Sequence, residues 1–272
     1  MCIQHIEPIG WWHFAHSYVR GNWRREEGDA GSLMAKSCHD IDVIKCLMGE
    51  SKCIKVQSFG NLTHFRKENK PEGASSRCLD CKVERDCPYS AVKTYLDPVK
   101  RGWPNGFCFV VADVPDIENI TDALRNGPYG RCVYDSDNDV CDNQVVNLEF
   151  EGGAIASFTM CAFTERMCKR SIKVFGTHGE IILEEGKKNS LTMYNFNTRK
   201  RTSYTSIGPQ ELTTMQGHGC GDYYLMRAFV SAVASNDPSL TSNGEDSLRG
   251  HRIVFAAEKS RKSGGQMLQV DI

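Results

Sequence analysis

The chain has 272 residues, of which 40% are hydrophobic and 25% are charged, a composition typical of a globular protein with a buried core. Its 33 basic and 34 acidic residues nearly cancel, so there is no net charge to attract nucleic acid or an anionic membrane. The apolar runs, such as Phe107 to Ala112, are much shorter than the roughly 20 residues of a membrane helix. Met1 to Gly10 lacks a signal-peptide pattern. We therefore expect a cytoplasmic protein with neither a nucleic-acid nor a membrane partner.

The first half of the chain predicts short strands and helices separated by polar loops. Alternating residues predict strands at Gln4 to Ile9 and Cys53 to Gly60. The aromatic and basic residues 11–24 between them predict a loop. Helical spacing of apolar residues predicts Lys36 to Met48, Ser90 to about Leu96 and Ile117 to Arg125 as helices.

The second half changes to strands followed by two helices. The predicted strands are Gln144 to Phe150, Ala154 to Phe163, Ile172 to Phe175, Glu180 to Leu183 and Leu191 to Asn195. The predicted helices are Asp222 to Ser235 and Glu245 to Ser260. This order predicts an α+β fold, an open, largely antiparallel sheet with helices packed on one face.

A dinucleotide-binding motif is missing from the sequence. Glycine-rich nucleotide loops of the form Gly-x-Gly-x-x-Gly follow a strand and begin a helix. The segment Gly217-His218-Gly219-Cys220-Gly221 comes too late, has the wrong spacing and lacks a βαβ context. These residues alone therefore predict no site for NAD or NADP.

Four segments, in order along the chain, resemble the C-terminal domain of the Gfo/Idh/MocA oxidoreductases. They are Asn22-Trp23-Arg24 with Gly31 and Cys38-His39-Asp40-Ile41-Asp42, Phe175-Gly176-Thr177-His178-Gly179-Glu180, Gly217-His218-Gly219 with Asp222, and Ser247-Leu248-Arg249-Gly250-His251 with Ala256-Ala257-Glu258-Lys259-Ser260-Arg261. The resemblance covers nearly the whole chain. It implies a substrate-binding and oligomerisation domain at residues 1–272, and an NAD- or NADP-binding Rossmann domain with a Glu-Lys-Pro motif that these residues do not contain.

The resemblance also implies that His39 carries the proton when hydride moves between the nicotinamide and a carbinol or carbonyl carbon. Histidine suits this role because its pKa is near neutrality. Asp42 could orient His39, although a solvated or capping role fits it equally. The family often has an aspartate four residues before this histidine, where Ala35 stands here. Lys36 could replace it, unless this lysine is merely solvated. His39 itself could simply cap or pack the helix start.

Two further groups are candidates for substrate binding. Arg20, Asn22, Trp23 and Arg24 combine donors with an aromatic face, as a polyhydroxylated or anionic substrate requires, but they could equally form a surface loop. His218 and Asp222 lie where the family's helix faces the substrate cleft. For Asp222 we favour a helix cap, and for His218 a place in the wall of the site.

The cysteine pattern suggests a zinc site. Cys78, Cys81 and Cys87 have a spacing at which thiolates can share a metal, and Cys38 is the candidate fourth ligand of a structural zinc. The alternative is a set of packed thiols, since the chain has 13 cysteines and no secretory signal to favour disulfides.

The sequence therefore favours the substrate-binding portion of an NAD(P)-dependent dehydrogenase or reductase acting on a sugar, cyclitol or related carbonyl compound. The alternative is a non-catalytic binding or assembly module derived from such an enzyme. We also expect a homo-oligomer that forms through the outer face of the sheet.

Overall fold

The computed structural model describes residues 1–185, 190–205, 221–237, 239 and 242–270. Its strands are β1 (Cys2–Pro8), β2 (Cys53–Asn61), β3 (Asn143–Phe150), β4 (Ile155–Cys161), β5 (Ser171–Phe175), β6 (Gly179–Glu184), β7 (Ser190–Asn195), β8 (Lys200–Thr205) and β9 (Leu268–Gln269). They form one sheet in the order β8-β7-β6-β5-β1-β4-β3-β2-β9. All neighbouring strands are antiparallel except β1 and β4, which are parallel. The predicted open, largely antiparallel sheet is confirmed.

The α-helices vary from single turns to long segments. They are α1 (Trp11–Phe14), α2 (Glu26–Asp29), α3 (Gly31–Met48), α4 (Asp97–Lys100), α5 (Cys108–Val111), α6 (Ile117–Asn126), α7 (Gly221–Ser235) and α8 (Gly244–Lys262). Segments Ala15–Arg20 and Val92–Leu96 are π-helical. Short 3₁₀ turns occupy Lys67–Asn69, Cys78–Asp80, Glu84–Asp86, Pro128–Gly130 and Glu151–Gly153. None of the described helices is both long and apolar enough to cross a bilayer.

Helices α3 and α8 pack side by side on one face of the sheet. Ile41 and Ile44 of α3 and Val254 of α8 are fully buried there. Each such side chain stabilises the fold by about 1.5–3 kcal/mol relative to an exposed one. The α8 helix begins with a capping box, in which the Asn243 side chain accepts from the Asp246 N–H at 2.9 Å.

A long insertion, residues 62–142, connects β2 to β3 and has a small core of its own, which includes Tyr95, Ile120 and Leu124. Asp142 fastens its base, because this carboxylate accepts hydrogen bonds from the Thr63 and His64 N–H groups at 2.8 and 2.7 Å. The insertion therefore forms a lobe attached to one end of the sheet.

The structure changes two of the predicted elements. Residues 11–20 are helical rather than a loop, because Phe14, Tyr18 and Val19 insert into the main core. Helix α3 begins at Gly31, before the predicted start at Lys36. The polar residues Lys36 and Ser37 had suggested a helix start, yet Leu33 in the first turn is fully buried.

Candidate active site

The ends of the two parallel strands bring distant segments of the chain together. Since β1 and β4 run in the same direction, their carboxyl ends lie at the same edge, with Pro8 opposite Cys161. The segments that follow are joined by a hydrogen bond from the Trp11 N–H to the Thr164 carbonyl, 3.0 Å long. Beyond Thr164, the chain returns to Pro8, whose carbonyl accepts from the Cys168 N–H at 2.6 Å. This edge is the candidate site.

A buried charge cluster of five side chains lies beneath this edge. It consists of His5 and Glu7 on β1, Lys36 and Asp40 on α3, and Arg170 before β5. Lys36 Nζ lies 3.3 Å from Glu7 Oε1, and Arg170 Nε lies 3.4 Å from Glu7 Oε2 and 2.6 Å from Asp40 Oδ1. His5 Nε2 lies 3.0 Å from Asp40 Oδ1. Glu7 and Asp40 are fully buried, so each depends on these neighbours for compensation.

The two carboxylates of the cluster have opposite pKa shifts. Burial, with the nearby charge of Asp40, raises the pKa of Glu7 even though Arg170 and Lys36 oppose the change. Burial also acts to raise the pKa of Asp40, but the hydrogen bond with His5 and the charge of Arg170 outweigh it and lower that pKa. Paired acids with divergent pKa values are typical of proton-transfer sites.

A thiol extends the cluster toward solvent. Cys168 Sγ lies 2.8 Å from Lys36 Nζ and 3.7 Å from His13 Nδ1. Burial raises the pKa of Cys168, although contact with Lys36 acts to lower it. Burial and the charge of Lys36 lower the pKa of His13 to about 4, so this histidine is neutral near pH 7. Lys36 thus contacts both Glu7 and Cys168, and Cys168 in turn lies near His13.

His39 lies beside the cluster on α3 and is exposed. It follows Lys36 by three residues and precedes Asp40 by one, so it occupies the neighbouring stripe of the helix. Asp42 does not hydrogen-bond to His39 in the described chain; its Oδ1 lies 3.0 Å from Lys45 Nζ. Lys36 therefore belongs to the buried charge cluster, whereas His39 lies beside the cluster and faces solvent.

The predicted Arg20 to Arg24 group is divided between the interior and the surface. Arg20 is 2% exposed and donates to the carbonyls of Arg131 and Tyr89, both at 2.8 Å. Arg24 pairs with Asp137 at 2.9 Å on the surface. Asn22 is exposed and Trp23 is 47% exposed. Only Asn22, Trp23 and Arg24 therefore have exposed side-chain surface that a ligand could contact. Their role in substrate binding stays a prediction.

The remaining predicted pair lies at the start of α7. His218 is outside the described residues. Asp222 is in the first turn of α7, as a residue that complements the helix dipole would be. Its role, too, stays a prediction.

The structure does not support the predicted zinc site. Cys78, Cys81 and Cys87 line one cavity in the insertion, and the fourth cysteine that lines it is Cys132. Cys38 lies on α3 and is not among the residues that line this cavity. Within the described residues, no three or more His, Cys, Asp or Glu side chains are placed to hold a metal ion. We therefore do not retain Cys38 as a ligand.

Sequence reasoning missed Glu7, Cys168 and Arg170. Cys168 lies 132 residues after Lys36 and Arg170 lies 130 residues after Asp40, the residues that they contact, so no local pattern connects them. Glu7 did leave a signal in the sequence. The residues of β1 that share a face are Ile3, His5 and Glu7, and polar residues on a buried strand face commonly mark a functional site.

Comparisons with known proteins give the context of this site. The sequence model for the Gfo/Idh/MocA oxidoreductase family, C-terminal alpha/beta domain, matches residues 9–270. YteT of Bacillus subtilis (strain 168), whose name assigns it to the oxidoreductases, is 23% identical over 263 residues, which are 92% of this chain and 55% of YteT.

Solved structures share the fold at low sequence identity. An oxidoreductase domain protein from Kribbella flavida aligns with a TM-score of 0.61 at 15% identity, over 100% of this chain and 60% of its own. An Agrobacterium radiobacter oxidoreductase, solved with NAD+, L-tartaric acid and magnesium, gives 0.58 at 14% identity, over 99% and 56%. Levoglucosan dehydrogenase, solved with NADH and levoglucosan, gives 0.58 at 12% identity, over 100% and 59%.

The chain thus spans a little more than half the length of these relatives. The family match extends over almost all of the chain, and the fold agrees with that of the solved structures. The chain belongs to the Gfo/Idh/MocA oxidoreductase family and carries its C-terminal alpha/beta domain.

Proposed function

We propose that this chain is the substrate-binding portion of an NAD(P)-dependent dehydrogenase or reductase that acts on a sugar, cyclitol or related carbonyl compound. The observation that carries the proposal is the exposed His39 beside the Glu7, Lys36 and Cys168 contacts at the ends of the parallel strands. Two of the solved relatives hold NAD+ or NADH together with a small oxygen-rich molecule, which supports the substrate class.

Bound nicotinamide would accept or supply the hydride, and the nucleotide would be held by a domain with the phosphate-binding loop that these 272 residues lack. The residues of this chain would handle the proton. His39 faces solvent and could take the hydroxyl proton of a substrate seated over α3. Lys36, 14% exposed, could polarise the substrate oxygen or return a proton from the buried cluster.

The proposal includes the cellular setting and the assembly. The 12 cysteines of the described chain are all unpaired, which fits a reducing, cytoplasmic compartment. We also propose that the chain forms a homo-oligomer through the outer face of its sheet.

The first experiment measures ligand binding by the chain itself. Ligand-observed NMR with sugars, cyclitols and sugar acids should detect weak binding that His39→Ala and Lys36→Met reduce. NADH fluorescence should stay unchanged on addition of the chain. Micromolar NADH binding, or sugar binding that both variants leave intact, would overturn the proposed division of roles.

The second experiment measures turnover when the chain is joined to a nucleotide-binding domain. A positioned acid or base contributes about 10²–10⁴-fold, so His39→Ala should lower kcat by that factor and raise KM by a much smaller one. Asp42→Asn should cost less, because Asp42 contacts Lys45 rather than His39. Near-normal turnover in His39→Ala, with none in Lys36→Met, would make Lys36 the proton carrier. Ligand binding without turnover would favour the non-catalytic module.

A further inference from the structure

Glu7 is the least expected member of the candidate site. Its side chain is fully buried, and in the described chain its two oxygens meet only the cations of Lys36 and Arg170, at 3.3 and 3.4 Å. Neither oxygen makes a regular hydrogen bond there. A buried carboxylate costs folding free energy unless its neighbours compensate the charge, so Glu7 depends on Lys36 and Arg170.

Lys36 is the neighbour most open to influence from Glu7. Its ammonium lies between the Glu7 carboxylate and the Cys168 thiol, 3.3 and 2.8 Å away. Arg170 is permanently charged and is also shared with Asp40 and Glu185. The Lys36 side chain is largely buried, so its ammonium depends on the anions around it for compensation.

We propose that Glu7 is a positioning residue that keeps Lys36 charged, so that Glu7, Lys36 and Cys168 share protons as one unit beneath the substrate. The proton sharing stands on the geometry of this chain, and its role in turnover rests on the proposed function.

The surroundings of Glu7 support this assignment. The titratable and charged groups that face it are Lys36 and Asp40 from α3, Cys168 and Arg170 from the segment before β5, His13 and Tyr18 from the helical turns after β1, and His5 from β1 itself. Asp40, tied to Arg170 and His5, stays ionised. Glu7 is therefore the carboxylate of this site that is placed to act on Lys36.

Cys168 provides a reporter that needs neither cofactor nor substrate. Its alkylation by iodoacetamide requires the thiolate, which a charged Lys36 favours. Alkylation would be followed across pH for each cysteine peptide by mass spectrometry. Cys46, which is exposed on α3, the helix that carries Lys36, serves as the internal reference for reagent reactivity and folding. Lys36→Met should slow Cys168 alkylation near pH 7 by about tenfold.

The sign of the Glu7→Gln effect decides the proposal. If Glu7 keeps Lys36 charged, Glu7→Gln should also slow Cys168 alkylation, and Glu7→Gln with Lys36→Met should slow it no further than Lys36→Met alone. If Glu7 were only a nearby negative charge, its removal would favour the thiolate and accelerate the reaction. A faster or unchanged rate would overturn the proposal.

Two controls complete the experiment. In a Lys36→Arg background the cation cannot lose its charge, so Glu7→Gln should now accelerate alkylation. Glu149→Gln removes the partner of Lys55, 3.0 Å away in an exposed pair, and should leave Cys168 unchanged. Should Glu7→Gln fail to fold, Glu7→Asp withdraws the carboxylate by one methylene and should slow alkylation to a smaller degree.

The activity assay separates this inference from the proposed function. In the form with a nucleotide-binding domain, Glu7→Gln should shift the pH profile of kcat while Glu149→Gln does not. If Glu7→Gln does not slow Cys168 alkylation while the form with a nucleotide-binding domain turns over substrate, the proton-sharing unit is rejected and the proposed function stands. The alkylation effect without turnover in any variant would reject the proposed function alone.

Discussion

At the scale of single residues, Arg20 and Arg24 show how differently two neighbouring arginines are used. Arg20 is buried and donates to two carbonyls, whereas Arg24 pairs with Asp137 at the surface. The sequence predicts one shared binding role for Arg20, Asn22, Trp23 and Arg24, because a sequence does not show which side of a helical turn faces the core. Because Ala15–Arg20 is helical, the Arg20 side chain points inward.

Substitution of these two arginines should have unequal effects on stability. Arg20→Met leaves the buried carbonyls of Arg131 and Tyr89 without a donor, so we expect a loss of about 2–5 kcal/mol in the free energy of unfolding. Arg24→Met breaks the surface pair with Asp137 and a hydrogen bond to the Gly21 carbonyl, and should cost about 1 kcal/mol. Urea denaturation measures both, and equal losses would contradict the buried role of Arg20.

Protonation of buried histidines should make the fold sensitive to acid. Burial, with His13 and Arg20 nearby, lowers the pKa of His16 to about 3, and its Nδ1 lies 2.8 Å from the Tyr95 hydroxyl. The folded-state pKa lies below the unfolded value of about 6.5, so the stabilisation is complete above that value and is lost as pH falls toward about 3.

The measurement compares the free energy of unfolding at pH 7 and pH 5. Linkage predicts that His16 contributes about 2 kcal/mol to the decrease between these values. His16→Gln keeps a polar partner near Tyr95 but cannot titrate, so its decrease should be smaller by that amount. Identical decreases in both proteins would show that His16 is not the titrating group.

At the scale of elements, the periodicity of apolar residues predicted most strands and helices. In the turn Gly176-Thr177-His178-Gly179, the close approach of the neighbouring backbone explains the glycine at position 179. A Cβ at Gly179 would lie 2.3 Å from the Tyr194 carbonyl oxygen across the β6–β7 pair. A Cβ at Gly176 would meet its nearest atom at 3.5 Å, an ordinary contact. Periodicity alone could not predict the parallel pairing of β1 with β4, because the 146 residues between Pro8 and Ile155 leave no local signal.

This difference predicts opposite tolerance at the two glycines. Gly179→Ala should destabilise the β6–β7 pair and lower the free energy of unfolding by about 1–3 kcal/mol, since backbone must shift to relieve the clash. Gly176→Ala should change it by less than about 1 kcal/mol. Thermal unfolding of the two variants provides the comparison, and a tolerated Gly179→Ala would mean that β6 and β7 are farther apart.

At the scale of the whole molecule, the one-sided layer of helices leaves the opposite face of the sheet exposed. Inward residues of β3 such as Val146 and Leu148 are buried, while outward residues across four neighbouring strands remain open. The apolar ones are Ile6 at 46% exposed, Phe59 at 53%, Val145 at 37% and Ile155 at 51%. The hydrophobic pattern fixed which residues share a face, but it could not reveal what covers that face, because a partner leaves no periodic signal within one chain.

A second copy of this chain is the occupant we expect on the outer sheet face. A two-fold pair would lay this face against itself, so each exposed apolar strand residue would meet its counterpart region on the partner. Stable interfaces bury at least about 1,000 Å² in total, which a face of several adjacent strands can provide. Ile155→Lys places a charge on this face, at the first residue of β4, and should shift the sedimentation profile from dimer toward monomer, with a dissociation constant raised at least about tenfold. Val114→Lys, at a residue 62% exposed in the insertion, adds the same charge elsewhere and should leave the profile unchanged. A chain that sediments as a monomer at all concentrations, or an Ile155→Lys variant that still pairs like the unsubstituted chain, would show that this face is not the interface.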